Sequence, residues 1–471
     1  MRYVSTRGEA PVLGFEGALM AGLALDGGLY IPEDWPALTH EAIRDFQGAP
    51  YADVAEAVMQ PFVVSNQLPP EAFREMIDES YATFTHPAVA PLIQVGANEW
   101  ILELFHGPTL AFKDVPMQLL SRLMDWVLTD RGQRVTIIGA TSGDTGGAAI
   151  EAFRGREAAD VFILHPHGRV SDVQRRQMTT ACEDNVFNIA LDGTFDDCQA
   201  FVKALFNDHR KRDALSLAGV NSINWARIMA QVVYYFTSAA ALGGPDREIS
   251  YSVPTGNFGD VFSGHIAREM GLPIGDLIIA TNQNDILART VANGRYEPLG
   301  VQPSSSPSMD IQVSSNFERL LFELSGRDAS RVRSQMGQLA QQGHFELTGP
   351  ELELLQRSFR SARADEAEMG AAMKELFDGS GYLADPHTSV GVAAARKVGT
   401  RGHANPMVTL ATAHPAKFPD AVEAAVGQVP PCPPQLAASD GAEERYDVLA
   451  NDYTTVANYI MDRSRVTRVN A

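Results

Sequence analysis

The sequence predicts an α/β fold with two parallel-sheet units, a small helical unit ahead of them and a helical insertion within them. Three observations carry that reading. Between about residues 120 and 425, apolar runs of four to eight residues alternate with longer helical patterns, the signature of βαβ units around buried parallel sheets. Two of those runs end in glycine-rich loops that lead into helices. The chain has 471 residues, 45% hydrophobic and 20% charged, an ordinary globular composition at a length that divides into two or three cores.

In chain order, DGGLYIPEDWP (26–36) precedes helical patterning in EAIRDF (41–46), YADVAEAVMQPFV (51–63) and PEAFREMIDESYATF (70–84), which read as a small helical unit. Two short β-type runs follow, PLIQV (91–95) and EWILELF (99–105). Next come the helical QLLSRLMDWVLTDRG, the strand-like RVTIIGA, the loop SGDTGG and the helical AAIEAFRG. ADVFILHP, VFNIALDG, EISYSVPTGNFGD, DLIIATN and MVTLATAHP repeat the strand theme. Residues 317–375 are charged, helical in pattern and without strand-like runs, so they read as an insertion entered through PSSSPSMD (303–310). The expected units are 1–90, 91–245, 246–428 with the insertion at about 317–375, and a tail at 429–471 that wraps the surface.

Composition narrows the function. The formal net charge is −20, which opposes nucleic acid and anionic membranes, and the clusters RRQ (175–177) and HRKR (209–212) read as solvated helix faces. An anionic substrate would need local positive potential against that global field. Three cysteines, Cys182, Cys198 and Cys432, without a CxxC pair argue against a disulfide framework or a cysteine metal site. No stretch is long and apolar enough to span a bilayer, and the N-terminus lacks the apolar core of a secretory signal, so a cytoplasmic protein is expected.

Three stretches can carry chemistry. In HGPTLAFKD (106–114), Lys113 follows Leu110, Ala111 and Phe112 and precedes Val115, Pro116 and Met117, with Asp114 as its single acidic neighbour. Desolvation lowers a lysine's pKa and fits it to form a Schiff base or act as a base. The alternative is a helix-edge lysine whose stem lies on the core and whose head reaches water. The loops ATSGDTGGAA (140–149) and VPTGNFGD (253–260) each stand where a strand ends and a helix begins, a place that suits anions. Neither is a Walker A loop nor a dinucleotide fingerprint, and simple glycine turns at helix starts are the alternative. A Schiff-base lysine with two anion sites suggests a phosphorylated cofactor and an anionic substrate, as pyridoxal 5′-phosphate chemistry requires. Thr412, after the run MVTLA, could meet the pyridine nitrogen or cap the following helix.

Taken together, these stretches resemble the threonine synthase family of pyridoxal-phosphate enzymes, fold type II, in its longer bacterial and fungal subgroup. The resemblance rests on YVSTRG (3–8), DGGLYIP (26–32), HGPTLAFKD, TSGDTG (141–146), INWARI (223–228), PTGNFGD (254–260), MDIQVSSNFER (309–319), DPHT (385–388) and TAHPAKF (412–418). It implies Lys113 as the Schiff-base residue and Gly256, Asn257, Phe258, Gly259 and Asp260 as the cofactor-phosphate loop. It also implies Thr412 at the pyridine nitrogen, and Ser142, Gly143, Asp144 and Thr145 facing the substrate carboxylate and the cofactor ring. For the substrate phosphate, Ser5, Thr6 and Arg7 are expected, with Lys417 a second candidate; the alternative is that Arg7 ties down a strand or helix terminus. The implied reaction is the last step of threonine biosynthesis, O-phospho-L-homoserine and water giving L-threonine and phosphate. No metal, nucleic acid, membrane or obligatory protein partner is implied. The competing readings are another fold type II lyase of the serine/threonine dehydratase kind and a catalytically silent ligand-binding relative.

Overall fold

The computed structural model describes residues 1–63, 68–141, 143–399 and 405–469; Ser142, one of the expected substrate contacts, lies outside them. Its strands are β1 (Tyr3–Ser5), β2 (Tyr30–Pro32), β3 (Leu92–Gln94), β4 (Glu99–Glu103), β5 (Val135–Ala140), β6 (Ala159–Pro166), β7 (Val186–Asp192), β8 (Leu217–Ala218), β9 (Ile249–Pro254), β10 (Ile274–Thr281), β11 (Arg295–Tyr296), β12 (Phe345–Glu346), β13 (Arg360–Arg363), β14 (Met407–Ala411) and β15 (Asp447–Ala450).

Among the described residues two sheets dominate, one in the order β13-β10-β9-β14-β4-β3 and one in the order β15-β7-β6-β5-β8. The second is parallel throughout, and the first is parallel except for the edge pair β3–β4. Strand β6 is buried along its whole length and so are β9 and β14, which is why their sequences run apolar instead of alternating. The loops after β5, β9 and β14 lie at strand carboxyl ends, where open α/β folds bind ligands.

The sheets divide the chain differently from a cut at residues 91 and 246. β4 pairs with β14, Leu102 opposite Leu410, so β3 and β4 belong with the later strands. Ile101 and Leu102 are fully buried, and the covering they need comes from the larger sheet. Lys113 therefore sits on the connection that leaves one sheet and enters the other.

The N-terminal segment adds the antiparallel ribbon β1–β2 and the helices Tyr51–Val63 and Pro70–Tyr81. It shares one continuous core with the α/β body. Trp225, the first residue of the helix Trp225–Ala241, packs its ring 5.8 Å from Tyr3, 5.6 Å from Phe62 and 6.0 Å from Trp35.

Two expectations are corrected. Residues 317–375 are not wholly helical: after the helices Phe317–Leu324, Ala329–Gln342 and Gly349–Ser358, β13 pairs in parallel with β10. An edge strand is held by backbone hydrogen bonds on one side only, so RSAR needs no apolar run, and its arginines blunt the edge. The tail does more than wrap the surface. β15 extends the smaller sheet beside β7, and the helix Tyr453–Arg463 buries Val456, Ala457 and Ile460 against Phe162, Leu164 and Leu205. Arg465 pairs with Asp160 at 2.5 Å and Ser464 bonds Thr136 at 2.8 Å, which fastens the end of that helix to the strand ends. Ile460→Ala is expected to destabilise the protein by about 2–5 kcal/mol, the range for truncating a fully buried aliphatic side chain. Urea unfolding checks this, and a loss under about 0.5 kcal/mol, typical of surface positions, would restore the surface-wrapping view.

Candidate active site

The segment 106–113 is shaped by the residue that follows it. The Asp114 carboxylate accepts the Thr109 backbone N–H at 2.8 Å and the Thr109 hydroxyl at 2.7 Å. Burial raises the Asp114 pKa to about 6 against the pull of those bonds. Asp114 thus folds the loop and is no partner for the Lys113 amine. Gly107 is required here, since a Cβ would lie 2.4 Å from that of Asp114. Ala111 bridges Ala413, and the Phe112 N–H donates to the Thr412 carbonyl at 2.8 Å. Thr412 is thereby strapped beside Lys113 in space, though about 300 residues separate them in sequence. Its side chain is buried, and its hydroxyl has no partner among the described residues.

Lys113 immediately precedes the helix Asp114–Asp130 and is 8% exposed, so its head does not run out to water. Its Nζ donates to Ser308 Oγ at 3.2 Å and stands 3.7 Å from Asp144 Oδ2. Burial lowers its pKa; Asp144 pulls it back up, while Lys417 and Arg227 reinforce the lowering. Asp144 opens the helix Asp144–Phe153, and its other oxygen, Oδ1, accepts Lys417 Nζ at 2.8 Å and Gln174 Nε2 at 2.9 Å. Burial alone would raise the Asp144 pKa, but Lys417 and Lys113 outweigh it and hold the carboxylate well below the usual range. Lys417 is fully buried and also donates to the Thr109 carbonyl at 2.8 Å.

The loop after β5 turns on Thr141, whose hydroxyl oxygen accepts the N–H groups of Gly143 and Gly146, each at 3.0 Å. Gly143 has φ +154°, and a Cβ there would strike the Gln174 amide at 2.4 Å. Thr145 is half-buried with its hydroxyl unpartnered among the described residues.

The loop after β9 is a cradle of backbone. A Cβ on Gly256 would lie 2.6 Å from the Ser308 carbonyl, and Phe258 takes a left-handed φ of 66° just before the helix Gly259–Glu269. The N–H groups of Gly256, Asn257, Phe258 and Gly259 find no acceptor among the described residues, which leaves a helix N-terminus ready for an anion. Ser308 joins this cradle to the lysine: its carbonyl touches Gly256 and its hydroxyl accepts from Lys113. The Ser308 N–H donates to His387 Nε2 at 3.3 Å, so Nδ1 of that ring carries the proton and donates to Asp385 at 2.6 Å.

The structure thus brings together Lys113, Gly143, Asp144, the 256–259 backbone, Thr412 and Lys417. Three expectations differ. The Asp260 side chain turns inward, where the Tyr234 and Tyr235 hydroxyls donate to it at 2.5 and 3.0 Å and burial raises its pKa to about 7. Both Asp144 carboxylate oxygens already have protein partners, Lys417 and Gln174 on one and Lys113 facing the other. Ser5 donates to Asp26 at 2.8 Å, Thr6 to Glu318 at 2.6 Å, and Arg7 to both oxygens of Glu318 at 3.0 and 2.9 Å. The alternative for Arg7 fits the structure: these three residues tie down the end of β1. Ser308, Gln174 and the Asp385–His387 pair carried no motif of their own chemistry; only DPHT marked the last of them.

A lysine with a lowered pKa, an empty-handed hydroxyl beside it and a glycine cradle without Cβ atoms together fit the amine, ring and phosphate demands of pyridoxal 5′-phosphate. Family comparisons agree along the chain. Residues 2–81 match the model described as threonine synthase N terminus, residues 85–413 that of pyridoxal-phosphate dependent enzymes, and residues 388–460 that of threonine synthase, C-terminal. The chain is 52% identical to the threonine synthase of Pseudomonas aeruginosa over 461 residues, 98% of each chain. The crystal structure of threonine synthase with bound pyridoxal phosphate from Brucella melitensis superposes with a TM-score of 0.96 at 57% identity, covering 99% of this chain and 100% of the other. The yeast threonine synthase structure superposes with a TM-score of 0.93 at 38% identity, covering 98% of each. The chain belongs to the threonine synthase family of pyridoxal-phosphate-dependent enzymes.

Proposed function

We propose that the protein converts O-phospho-L-homoserine and water to L-threonine and phosphate, as a carbon–oxygen lyase acting on phosphates, with Lys113 as its proton carrier. The observation that supports this most is the buried Lys113 amine, bonded to Ser308 at the mouth of the 256–259 cradle and facing Asp144. When bound, the cofactor supplies an electron sink next to the substrate Cα. The backbone N–H groups of Gly256, Asn257, Phe258 and Gly259 would hold its phosphate, and the Thr412 hydroxyl its ring nitrogen. Asp260 serves that loop through its backbone.

Lys113 then takes the proton from Cα and moves a second one at Cβ, and phosphate departs from Cγ. A proton delivered to Cγ makes the methyl group, water adds its hydroxyl at Cβ, and a proton returned to Cα completes L-threonine, the remaining proton of water leaving with the phosphate. A lowered amine pKa suits this traffic, since the free base must exist near neutral pH. Gly143 and Thr145 would meet the substrate carboxylate, with Asp144 holding Lys113 in place from behind. Gln177, from the helix Asp172–Thr179, donates to the Thr109 carbonyl at 3.2 Å and closes the smaller-sheet side over the lysine loop. That closure limits bulk water during the elimination steps.

The free cysteines Cys182, Cys198 and Cys432 suit a reducing, cytoplasmic setting. No helix among the described residues is long and apolar enough to cross a membrane. The test is incubation of the purified holoenzyme with O-phospho-L-homoserine, measuring phosphate and amino-acid product together. Equimolar threonine and phosphate are expected. Phosphate with 2-oxobutyrate in place of threonine would overturn the synthase reading in favour of an elimination enzyme.

A further inference from the structure

Behind the strap that carries Lys113 lies a cavity of about 800 Å³. That volume suits a small molecule and is too small for a folded partner. The cavity is built from residues at the carboxyl ends of β4 and β14, parallel neighbours with Glu103 opposite Ala411, where open α/β sheets take ligands. Phe105, Leu110 and Leu383 form its apolar walls, and the tail at 431–435 forms its rim. Lys113, Asp144, Ser308 and Thr412 are not among the described residues that line it. Between the cavity and the lysine stands the pairing of Ala111 with Ala413, beside which the His414 N–H donates to the Leu110 carbonyl at 3.0 Å.

Polar groups of two kinds border this apolar space. Glu103 closes β4; its Oε2 accepts His106 Nε2 at 2.7 Å and its Oε1 accepts the Tyr382 hydroxyl at 3.0 Å. A carboxylate has about four acceptor positions, so about two remain open. The Glu103 and His106 side chains stay 14% and 21% exposed, so a ligand can reach the pair. His414 offers the opposite kind. Its Nδ1 accepts the Ala416 N–H at 3.2 Å. Burial lowers the pKa of the ring, which is therefore neutral at pH 7 and carries its proton on Nε2. That N–H has no partner among the described residues. The His106 and His414 rings lie 5.1 and 5.3 Å from the Phe105 ring, so the open acceptors and the free donor border the same wall.

A ligand has to answer all of these features. A plain hydrocarbon leaves the carboxylate and the N–H facing apolar matter. An alkyl carboxylate brings a second negative charge against Glu103. An alkyl amine leaves the His414 N–H unanswered. A zwitterion with a hydrocarbon side chain meets each of them.

We propose that this cavity is a second ligand site, separate from the catalytic one, that binds a small aliphatic α-amino acid. The ammonium of the ligand donates to the open positions of Glu103, its carboxylate accepts the His414 Nε2–H, and its side chain lies on Phe105, Leu110 and Leu383. The wall it touches belongs to the lysine strap: Leu110 holds a left-handed φ of 60° three residues before Lys113.

The experiment is isothermal titration calorimetry of L-valine, L-leucine and L-isoleucine into the holoenzyme after borohydride has fixed the cofactor to Lys113, which stops an amino acid from exchanging onto the cofactor. Saturable binding of at least one is expected. Where L-leucine binds, its carboxylate-only and amine-only analogues, isocaproate and isoamylamine, bind at least about 10-fold more weakly, and Glu103→Gln weakens the amino acid by a similar factor. Leu383→Trp, which fills the cavity, abolishes binding. No binding by any of the three, binding that neither variant changes, or an analogue that binds as tightly as its amino acid overturns the proposal. Should the variants not fold, crystals of wild-type holoenzyme grown with all three amino acids decide the matter. Density for one of them between Glu103 and His414 supports the proposal, and density elsewhere or none overturns it. The site does not rest on the reaction proposed above: if borohydride fixes no cofactor to the chain, the Lys113 reading falls, while the crystal still reports on the cavity.

Discussion

Lys113→Ala lowers threonine formation by at least about 10³-fold, the combined loss of a covalent anchor and a proton carrier. Two features of the structure make the loss this large. The amine is the basic group that the Ser308 hydroxyl and Asp144 hold at the site. Lys417 cannot substitute, because it is buried in its pair with Asp144 and its bond to Thr109. Lys113→Arg fails to the same degree, since a guanidinium does not give up its proton. Phosphate release from O-phospho-L-homoserine checks the rate. Borohydride treatment gives a readout apart from turnover: the wild-type chain retains cofactor after denaturation, and the alanine variant does not. Activity within tenfold of wild type would remove Lys113 from the mechanism. The pH dependence carries a sign as well. Burial, opposed by Asp144, lowers the Lys113 pKa, so the limb of the pH–rate profile belonging to this amine falls below the ordinary lysine value of about 10.4.

Asp144→Asn destabilises the folded protein by about 3–5 kcal/mol, the range for removing one partner of a buried pair. The substitution leaves Lys417 fully buried with no counter-charge. It also removes the group that raises the Lys113 pKa, so the acid-side limb of the rate profile, where this amine gains its proton, shifts further towards low pH. Urea unfolding measures the stability change. The double variant Asp144→Asn/Lys417→Met regains most of it, and the difference isolates the pair. A single-variant loss below about 1 kcal/mol would show that the pair contributes little to the fold. In acid the direction is fixed by the Asp144 carboxylate, which titrates lower in the fold than in the unfolded chain. Its contribution is present in full above the unfolded value of about 3.9 and is lost as pH falls from there through the folded value.

The central strands were legible in the sequence because burial on both faces writes itself into uninterrupted runs such as ADVFILHP and MVTLA. The edges were not. β13 and β15 are four residues each, RSAR and DVLA, and a strand held along one side by main-chain bonds needs no apolar signature. In the site, Lys113 stood out because a charge among apolar neighbours is improbable on a solvated face. Thr412 stood out through its place after a buried strand. Asp144, Asp260 and Arg7 carried the right chemistry but not the direction of their side chains. That direction is set by Lys417, by Tyr234 and Tyr235, and by Glu318, residues far away in sequence that only the fold brings near. Arg227 lay inside INWARI, where an arginine early in a helix looks no different from a solvated one until its burial is known.

The placement of β15 beside β7 bears on how the polypeptide is made. More than half of the sequence separates these neighbours. As the chain emerges from the ribosome at roughly 5–20 residues per second, β5 to β8 can assemble early, but β7 then presents a bare row of N–H and C=O groups for the whole time the larger sheet is being translated. The same nascent unit lacks the cover that Val456, Ala457 and Ile460 later give to Phe162 and Leu164. Translation stalled before residue 447 leaves an unfinished sheet with an adhesive margin, the kind of species that holdase chaperones capture, and release of the last helix is the event that ends that exposure.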